Sequence, residues 1–141
     1  MSRPRLQPAR WTPPAASPRS RQAQSDVPLP SVRVFDVGGT GPEDVLVDAS
    51  DGTVLTGLAD GRLQRVDPGS GAVGTVADTS GRPLGLEWLP DGRLLVCDAR
   101  RGLLAIDLDD GAVETLASEA AGRPIVFCNN AAVSDDGTVW F

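Results

Sequence analysis

The chain has 141 residues, a formal charge of −6 and no histidine. Its chemistry therefore cannot use an imidazole as general base, as metal ligand or as a charge that switches near neutral pH. Residues 1–30 carry five arginines against one acid, whereas residues 31–141 carry eight arginines against eighteen acids. The second part is acidic, which excludes a nucleic-acid partner there, because binding of phosphates needs a basic surface.

Residues 1–30 contain seven prolines and no run of apolar residues. This composition predicts a disordered or extended tail that is rich in Pro and Arg. The tail lacks the apolar stretch of a secretory signal, and no later segment is apolar for long enough to span a membrane. We therefore expect a cytoplasmic protein without a membrane partner.

From residue 31 onward, short segments with the apolar alternation of β-strands follow one another. Each is bounded by Gly, Asp, Pro or Ser, and none has a sustained helical period, so the sequence predicts an all-β fold. The predicted strands are 31–37, 43–48, 53–58, 62–67, 72–77, 84–89, 93–98, 103–108, 112–117 and 138–141.

These segments repeat with a period near 41 residues. Asp-Gly pairs recur at 51–52, 91–92 and 136–137, the sequence at 71–73 recurs at 111–113, and the Gly-Arg-Pro at 81–83 recurs at 122–124. A four-stranded unit of about this length is the blade of a β-propeller. We place blade one at about 43–77, blade two at about 84–117 and the start of blade three at about 129–141.

A propeller needs at least four blades, and residues 31–141 supply about two and a half. We therefore expect the chain to be the N-terminal part of a partial β-propeller. Strand 31–37 would then pair with the last blade of the closed ring. The ring would be completed by further residues, by a complementary half or by self-association.

Each Asp-Gly pair predicts a type I′ turn between the first two strands of a blade. Asp51, Asp91 and Asp136 are accordingly predicted to be turn residues, not catalytic carboxylates. The two cysteines, Cys97 and Cys128, lie in apolar surroundings. We expect them to be buried, reduced thiols that act as small apolar side chains. Catalysis by either is not expected, because no histidine is present to activate a thiolate.

Four stretches together resemble a known family: GPEDVLVD (41–48), DGRLQRVD (60–67), GRPLGLEWLPDGRLLVCDARRGLLAID (81–107) and GRPIVFCNNAAVSDDGTVWF (122–141). They are similar to the strictosidine synthase-like proteins of the senescence marker protein, gluconolactonase and luciferin-regenerating enzyme superfamily. The resemblance covers residues 41–141. It implies a six-bladed propeller with a divalent cation, usually calcium, in its central channel, and hydrolase members that open lactones or esters.

The resemblance also implies candidate metal ligands. Glu43 matches the Glu of the family's Gly-Pro-Glu motif, and Asn129 matches the Asn that opens the third inner strand, with Asn130 as a third candidate. Two family acids are replaced here, by Asn130 and Ala132, which should weaken a cation site. From the residues alone, an ordinary turn pair is the favoured interpretation of Asn129 and Asn130, because asparagine tolerates positive φ. Arg82 and Arg123 are interpreted as loop residues and not as substrate clamps.

These observations predict part of a metal-dependent hydrolase that acts on a small-molecule lactone or ester. The catalytic residues are unknown, because the family's later-blade residues have no counterpart in these 141 positions, and we expect this chain by itself to be inactive. Two alternatives stay open: a non-enzymatic propeller that serves as a binding scaffold, and a pseudogene remnant.

Overall fold

The structure, a computed structural model, describes residues 10–19 and 30–141. It divides into two units, Met1–Arg33 and Val34–Phe141. In the first unit the described residues are exposed, with helical conformation only at Pro18 and Arg19, and the parts of the predicted disordered tail at 1–9 and 20–29 lie outside the described residues. Across the described ranges, no helix has the length and apolar character needed to cross a membrane.

The second unit consists of short strands joined by tight turns. In chain order they are β1 Val45–Val47, β2 Val54–Gly57, β3 Arg62–Val66, β4 Val73–Asp78, β5 Pro83–Trp88, β6 Leu94–Asp98, β7 Gly102–Ile106, β8 Val113–Ala117, β9 Glu119–Ala120, β10 Arg123–Pro124, β11 Ala132–Val133 and β12 Val139–Trp140.

The strands form antiparallel sheets, and within each sheet every strand pairs with its neighbour along the sequence. Strands β1–β4 form one four-stranded sheet (blade 1), β5–β8 form the next (blade 2), and β11–β12 are two strands of blade 3. The predicted all-β propeller architecture is confirmed. The repeat extends to irregularities: the β3–β4 register shifts between Leu63 and Gln64, and the β7–β8 register shifts at the equivalent step between Leu103 and Leu104.

Blade 2 packs between its neighbours. Alternate residues of β6 face opposite ways: Leu94 and Val96 join a cluster with blade 1, whereas Leu95 and Cys97 join a cluster with blade 3. All residues of β6 and β7 are therefore buried. A fully buried leucine contributes roughly 1.5–3 kcal/mol to the free energy of folding. Burial of apolar side chains in these two clusters therefore stabilises the stacking of the blades.

The predicted strand at 31–37 is wrong, because these residues form no strand. The end of this segment is instead held by side chains of β3. Gln64 Nε2 donates to the Val37 carbonyl at 3.1 Å, and Arg62 Nη2 donates to the Gly38 carbonyl at 2.8 Å. No strand within the described residues pairs with it, and Val34 stays 88% exposed. Alternation alone therefore did not produce a strand here.

The three Asp-Gly pairs lie in turns as predicted, but the type I′ assignment is wrong. Only the glycines have positive φ, of 75° at Gly52, 89° at Gly92 and 83° at Gly137. Each Asp instead accepts the backbone N–H two residues later, as Asp136 Oδ1 does from Thr138 at 3.0 Å. Hydrogen bonds from the Ser134 hydroxyl and from Thr138 lower the pKa of Asp136 to about 2.

A type I′ turn is present elsewhere, in a hairpin that the sequence did not predict. Strands β9 and β10 are joined by Ala121 and Gly122, with φ of 50° and 71°. This hairpin lies between blades 2 and 3. The last Asp-Gly spacing is 45 residues where the one before it is 40, and the β9–β10 hairpin lies within that longer interval.

Replacing Ala121 with asparagine should stabilise the protein. Positive φ is costly for alanine and well tolerated by asparagine, which is preferred in this turn type. We expect Ala121→Asn to raise the free energy of unfolding by about 0.5–1 kcal/mol, measured by urea denaturation. Ala120→Asn, one position earlier in β9, is the control, and an equal gain there would contradict the turn explanation.

Asp98, at the end of β6, is fully buried and has four hydrogen-bond donors. Its Oδ2 accepts from the Thr79 hydroxyl and the Arg82 N–H, both at 2.8 Å, and its Oδ1 accepts from the Arg100 and Arg101 N–H groups at 2.9 and 3.0 Å. A Cβ on Gly81 would collide with this carboxylate. Asp98 thus joins the connection between blades 1 and 2 to the β6–β7 turn.

Removing this carboxylate should be strongly destabilising. Asp98→Ala leaves the Thr79 hydroxyl and three backbone N–H groups without this buried acceptor, and we expect a loss of about 3 kcal/mol or more of unfolding free energy. Asp109→Ala, which truncates an exposed aspartate, is the matched control, and we expect it to change stability by less than about 0.5 kcal/mol. If Asp98→Ala does not fold, Asp98→Asn is used in its place, because it keeps the side-chain size and one acceptor oxygen. Equal midpoints for the Asp98 and Asp109 variants would contradict the proposed role.

Candidate functional site

The innermost strands of the three blades can be aligned by their hydrogen bonds. At the end of each, a backbone N–H donates to the carbonyl across the hairpin: Asp48 to Thr53, Leu89 to Arg93, and Ser134 to Thr138. Counting back five positions from each donor gives equivalent residues at the start of the inner strands. These residues are Glu43, Leu84 and Asn129.

The equivalent positions meet in one cavity. It has a volume of about 170 Å³ and is lined by Glu43, Asp44, Leu84, Gly85, Asn129 and Asn130, which are three adjacent pairs, one from each blade. All three sequence-predicted site residues, Glu43, Asn129 and Asn130, lie there together. The convergence follows from the fold, because equivalent ends of neighbouring inner strands lie side by side.

Glu43 is a half-exposed carboxylate with one cationic neighbour. Arg82 Nη2 lies 3.8 Å from Glu43 Oε2, and the side chain of Glu43 is 53% exposed. Arg82 Nη1 also donates to the Gly41 carbonyl at 2.9 Å. Arg82 is therefore more than the loop residue that its position before a proline predicted, since it fixes the loop that carries Glu43.

Asp44 links blade 1 to blade 2 at the cavity. Its Oδ1 accepts from the Val45 N–H at 2.8 Å, and its Oδ2 accepts from the Leu86 N–H of β5 at 2.9 Å. Both oxygens are thus committed to backbone donors. The sequence reasoning missed this residue, although its place after Glu43 matches that of Asn130 after Asn129.

The side chains of Asn129 and Asn130 differ in their hydrogen bonding. Asn130 Oδ1 accepts from the Ala131 N–H at 2.9 Å, whereas the Asn129 side chain has no hydrogen-bond partner in the described part of the chain. Gly85 permits their close approach, since a Cβ there would lie 2.6 Å from the Asn129 carbonyl oxygen and 2.8 Å from Asn130 Cα.

The donor set fits a hard cation in part. Carboxylate and amide oxygens are what Ca²⁺ prefers, and Glu43 and Asn129 present oxygens that no backbone donor occupies. Among residues 10–19 and 30–141, however, no three Asp, Glu or Cys side chains are grouped so that they could hold a metal ion. Ala132 lies in β11 and offers no ligand.

The comparisons with known proteins agree with this architecture. The family profile described as "Strictosidine synthase-like, N-terminal" matches residues 29–66. Protein STRICTOSIDINE SYNTHASE-LIKE 6 of Arabidopsis thaliana is 34% identical over 104 residues, which cover 71% of this chain and 28% of that protein. The chain belongs to the strictosidine synthase-like family. The adipocyte plasma membrane-associated protein of Mus musculus is 34% identical over 119 residues, or 74% of this chain and 28% of that one.

Among solved structures, a gluconolactonase from Xanthomonas campestris has the same fold. The TM-score is 0.66 at 24% sequence identity, and the match covers 74% of this chain and 35% of that one. This strictosidine synthase-like chain spans 28% of the length of the two curated relatives named above. Activities of the whole proteins are therefore taken up only as a proposal.

A methyl group at Gly85 should disturb the cavity. The Gly85→Ala side chain would overlap backbone of blade 3, and we expect a loss of about 2 kcal/mol of unfolding free energy. Gly74→Ala is the matched control, because its added Cβ meets no atom within 4 Å. Tryptophan fluorescence during urea unfolding gives both values, and equal midpoints for the two variants would contradict the close packing.

Proposed function

We propose that the protein is a metal-dependent hydrolase of lactones or related esters, in which Glu43, Asn129 and Asn130 contribute to a divalent cation site, calcium being the expected ion. The observation that carries the proposal is the alignment of inner-strand positions. Glu43 and Asn129 occupy equivalent positions on different blades, and both line one cavity with oxygens that accept no backbone hydrogen bond. Family membership supports the same chemistry.

The chain's own residues would have distinct tasks at this site. Glu43 supplies the carboxylate, and Arg82 holds its loop through the Gly41 carbonyl. Asn129 supplies a neutral oxygen, and Asp44 keeps blades 1 and 2 in register. A bound divalent cation would polarise the substrate carbonyl and stabilise the developing oxyanion. Any proton acceptor from these 141 residues would be a carboxylate, because the chain has no histidine.

A second candidate is a non-enzymatic binding scaffold. The Arg82 guanidinium already offsets the charge of Glu43 at 3.8 Å without a metal. Asn130 and Ala132 stand where the family has acids, which lowers the negative charge available to a cation. In that case the channel would keep its shape and would bind no ion.

The test uses the protein encoded by the complete open reading frame. Thermal unfolding and hydrolysis of simple γ- and δ-lactones and of phenyl acetate are measured with Ca²⁺ and with EDTA. We expect Ca²⁺ to raise the melting temperature and to support turnover. Glu43→Gln and Asn129→Ala should each lower metal affinity by roughly tenfold or more. Glu119→Gln, an exposed acid of β9, is the control.

Two results would overturn the hydrolase proposal. The first is a melting temperature unaffected by Ca²⁺, which would favour the scaffold. The second is turnover that Glu43→Gln and Glu119→Gln leave equally intact. The 141-residue chain alone should show no turnover, because its described residues provide only three inner strands. We further propose a cytoplasmic location and a small-molecule substrate, with self-association or a complementary half as the partner for ring closure.

A further inference from the structure

Two cysteine thiols meet inside the contact between blades 2 and 3. Cys97 is the fourth residue of β6, and Cys128 lies in the segment before β11. Both are free thiols, and they are only 1% and 5% exposed. They share one apolar cluster with Leu95 and Leu103. The expected burial of both cysteines is confirmed, and their thiols are free in this structure. Their proximity was not predicted, because they are 31 positions apart in the chain.

The two cysteines belong to one buried apolar cluster and come from different blades, so their thiols lie close to each other. Each also lies near a carboxylate, Asp44 for Cys97 and Asp98 for Cys128. No third sulfur or nitrogen ligand is present, since the chain has two cysteines and no histidine, so a soft-metal site is disfavoured. For two neighbouring thiols without a third ligand, an intramolecular disulfide is the oxidation product that uses both sulfurs.

We propose that Cys97 and Cys128 form a disulfide that covalently joins blade 2 to blade 3. The bond would close a segment of some 30 residues that includes β7, β8 and the β9–β10 hairpin. Within the described residues, blades 2 and 3 are otherwise joined by the chain itself and by side-chain packing. The crosslink is therefore a modification that would lock the blade contact at the residue that precedes Asn129 of the cavity.

The reaction balances with a small-molecule disulfide, such as oxidised glutathione, as oxidant. One cysteine thiolate attacks the oxidant, giving a protein–glutathione mixed disulfide and releasing one glutathione thiol. The other cysteine thiolate then attacks the protein sulfur of that mixed disulfide and releases the second glutathione. Both protein thiols lose a proton, and the two electrons end on the two glutathione molecules.

Burial makes this reaction slow in the closed structure. The two cysteines are only 1% and 5% exposed, so an oxidant cannot reach either sulfur while blades 2 and 3 are in contact. The crosslink should form readily only when blade 3 opens from blade 2 or before it docks. Once formed, it would oppose that opening, because it removes the extended states of the segment between the cysteines.

The experiment uses the reduced 141-residue chain. It is incubated with oxidised glutathione under native conditions and at a urea concentration just below the unfolding transition. We expect the intact mass to fall by two hydrogens, faster in urea. Trypsin without reductant should release peptide 94–100 linked to peptide 102–141, since the Arg123–Pro124 bond resists cleavage. The oxidised protein should melt roughly 10 °C higher than the reduced form.

Cys97→Ala and Cys128→Ala are the controls, and neither should lose mass or change melting temperature through an internal crosslink. Glutathione adducts on both cysteines without a crosslink would overturn the proposal. So would a crosslinked product that melts below the reduced protein, because the bond would then be incompatible with the native blade contact. A failure to crosslink in either condition would also overturn it. None of these outcomes depends on metal binding or hydrolysis.

Discussion

The buried Asp98 carboxylate fixes the step from blade 1 to blade 2, and the candidate site is built on that step. Its four donors come from the connection at Thr79 and Arg82 and from the turn at Arg100 and Arg101. Because Arg82 precedes β5 and contacts the Glu43 loop, the carboxylate also sets where the cavity wall lies. A buried charge is tolerated only when its hydrogen bonds are complete, as they are here.

In blade 1, the position equivalent to Asp98 is occupied by an apolar side chain. The Ala59 N–H bonds to the Thr40 carbonyl as the Ala99 N–H bonds to the Arg82 carbonyl, so Leu58 occupies the place that Asp98 has in blade 2. Leu58 is fully buried and packs where a Cβ on Gly39 would lie, 2.7 Å from its Cδ1. One backbone geometry is therefore stabilised by apolar packing in one blade and by a polar network in the next.

Most strands could be predicted, because a propeller blade repeats its turns at a fixed period and alternates its apolar residues. The failures have local causes. Residues 31–37 alternate but have no strand beside them in the described chain. The turn at Ala121 and Gly122 was not predicted, because its first position lacks the asparagine or aspartate that is typical of a type I′ turn. At the site, family resemblance led to Glu43, Asn129 and Asn130. Asp44 was missed and Arg82 was interpreted only as a loop residue, because their partners on another blade are distant in sequence.

The burial of blade 2 on both faces has a consequence for how this molecule opens. Strands β6 and β7 are enclosed along their whole length, while Val45 of blade 1 and Trp140 of blade 3 remain more than half exposed. In a protein built from stacked repeats, fluctuations begin in the units with the fewest neighbours and progress inward. The amide hydrogens of β6 and β7 should therefore be among the last to exchange with solvent. Local unfolding of blade 1 or blade 3 should leave blade 2 folded.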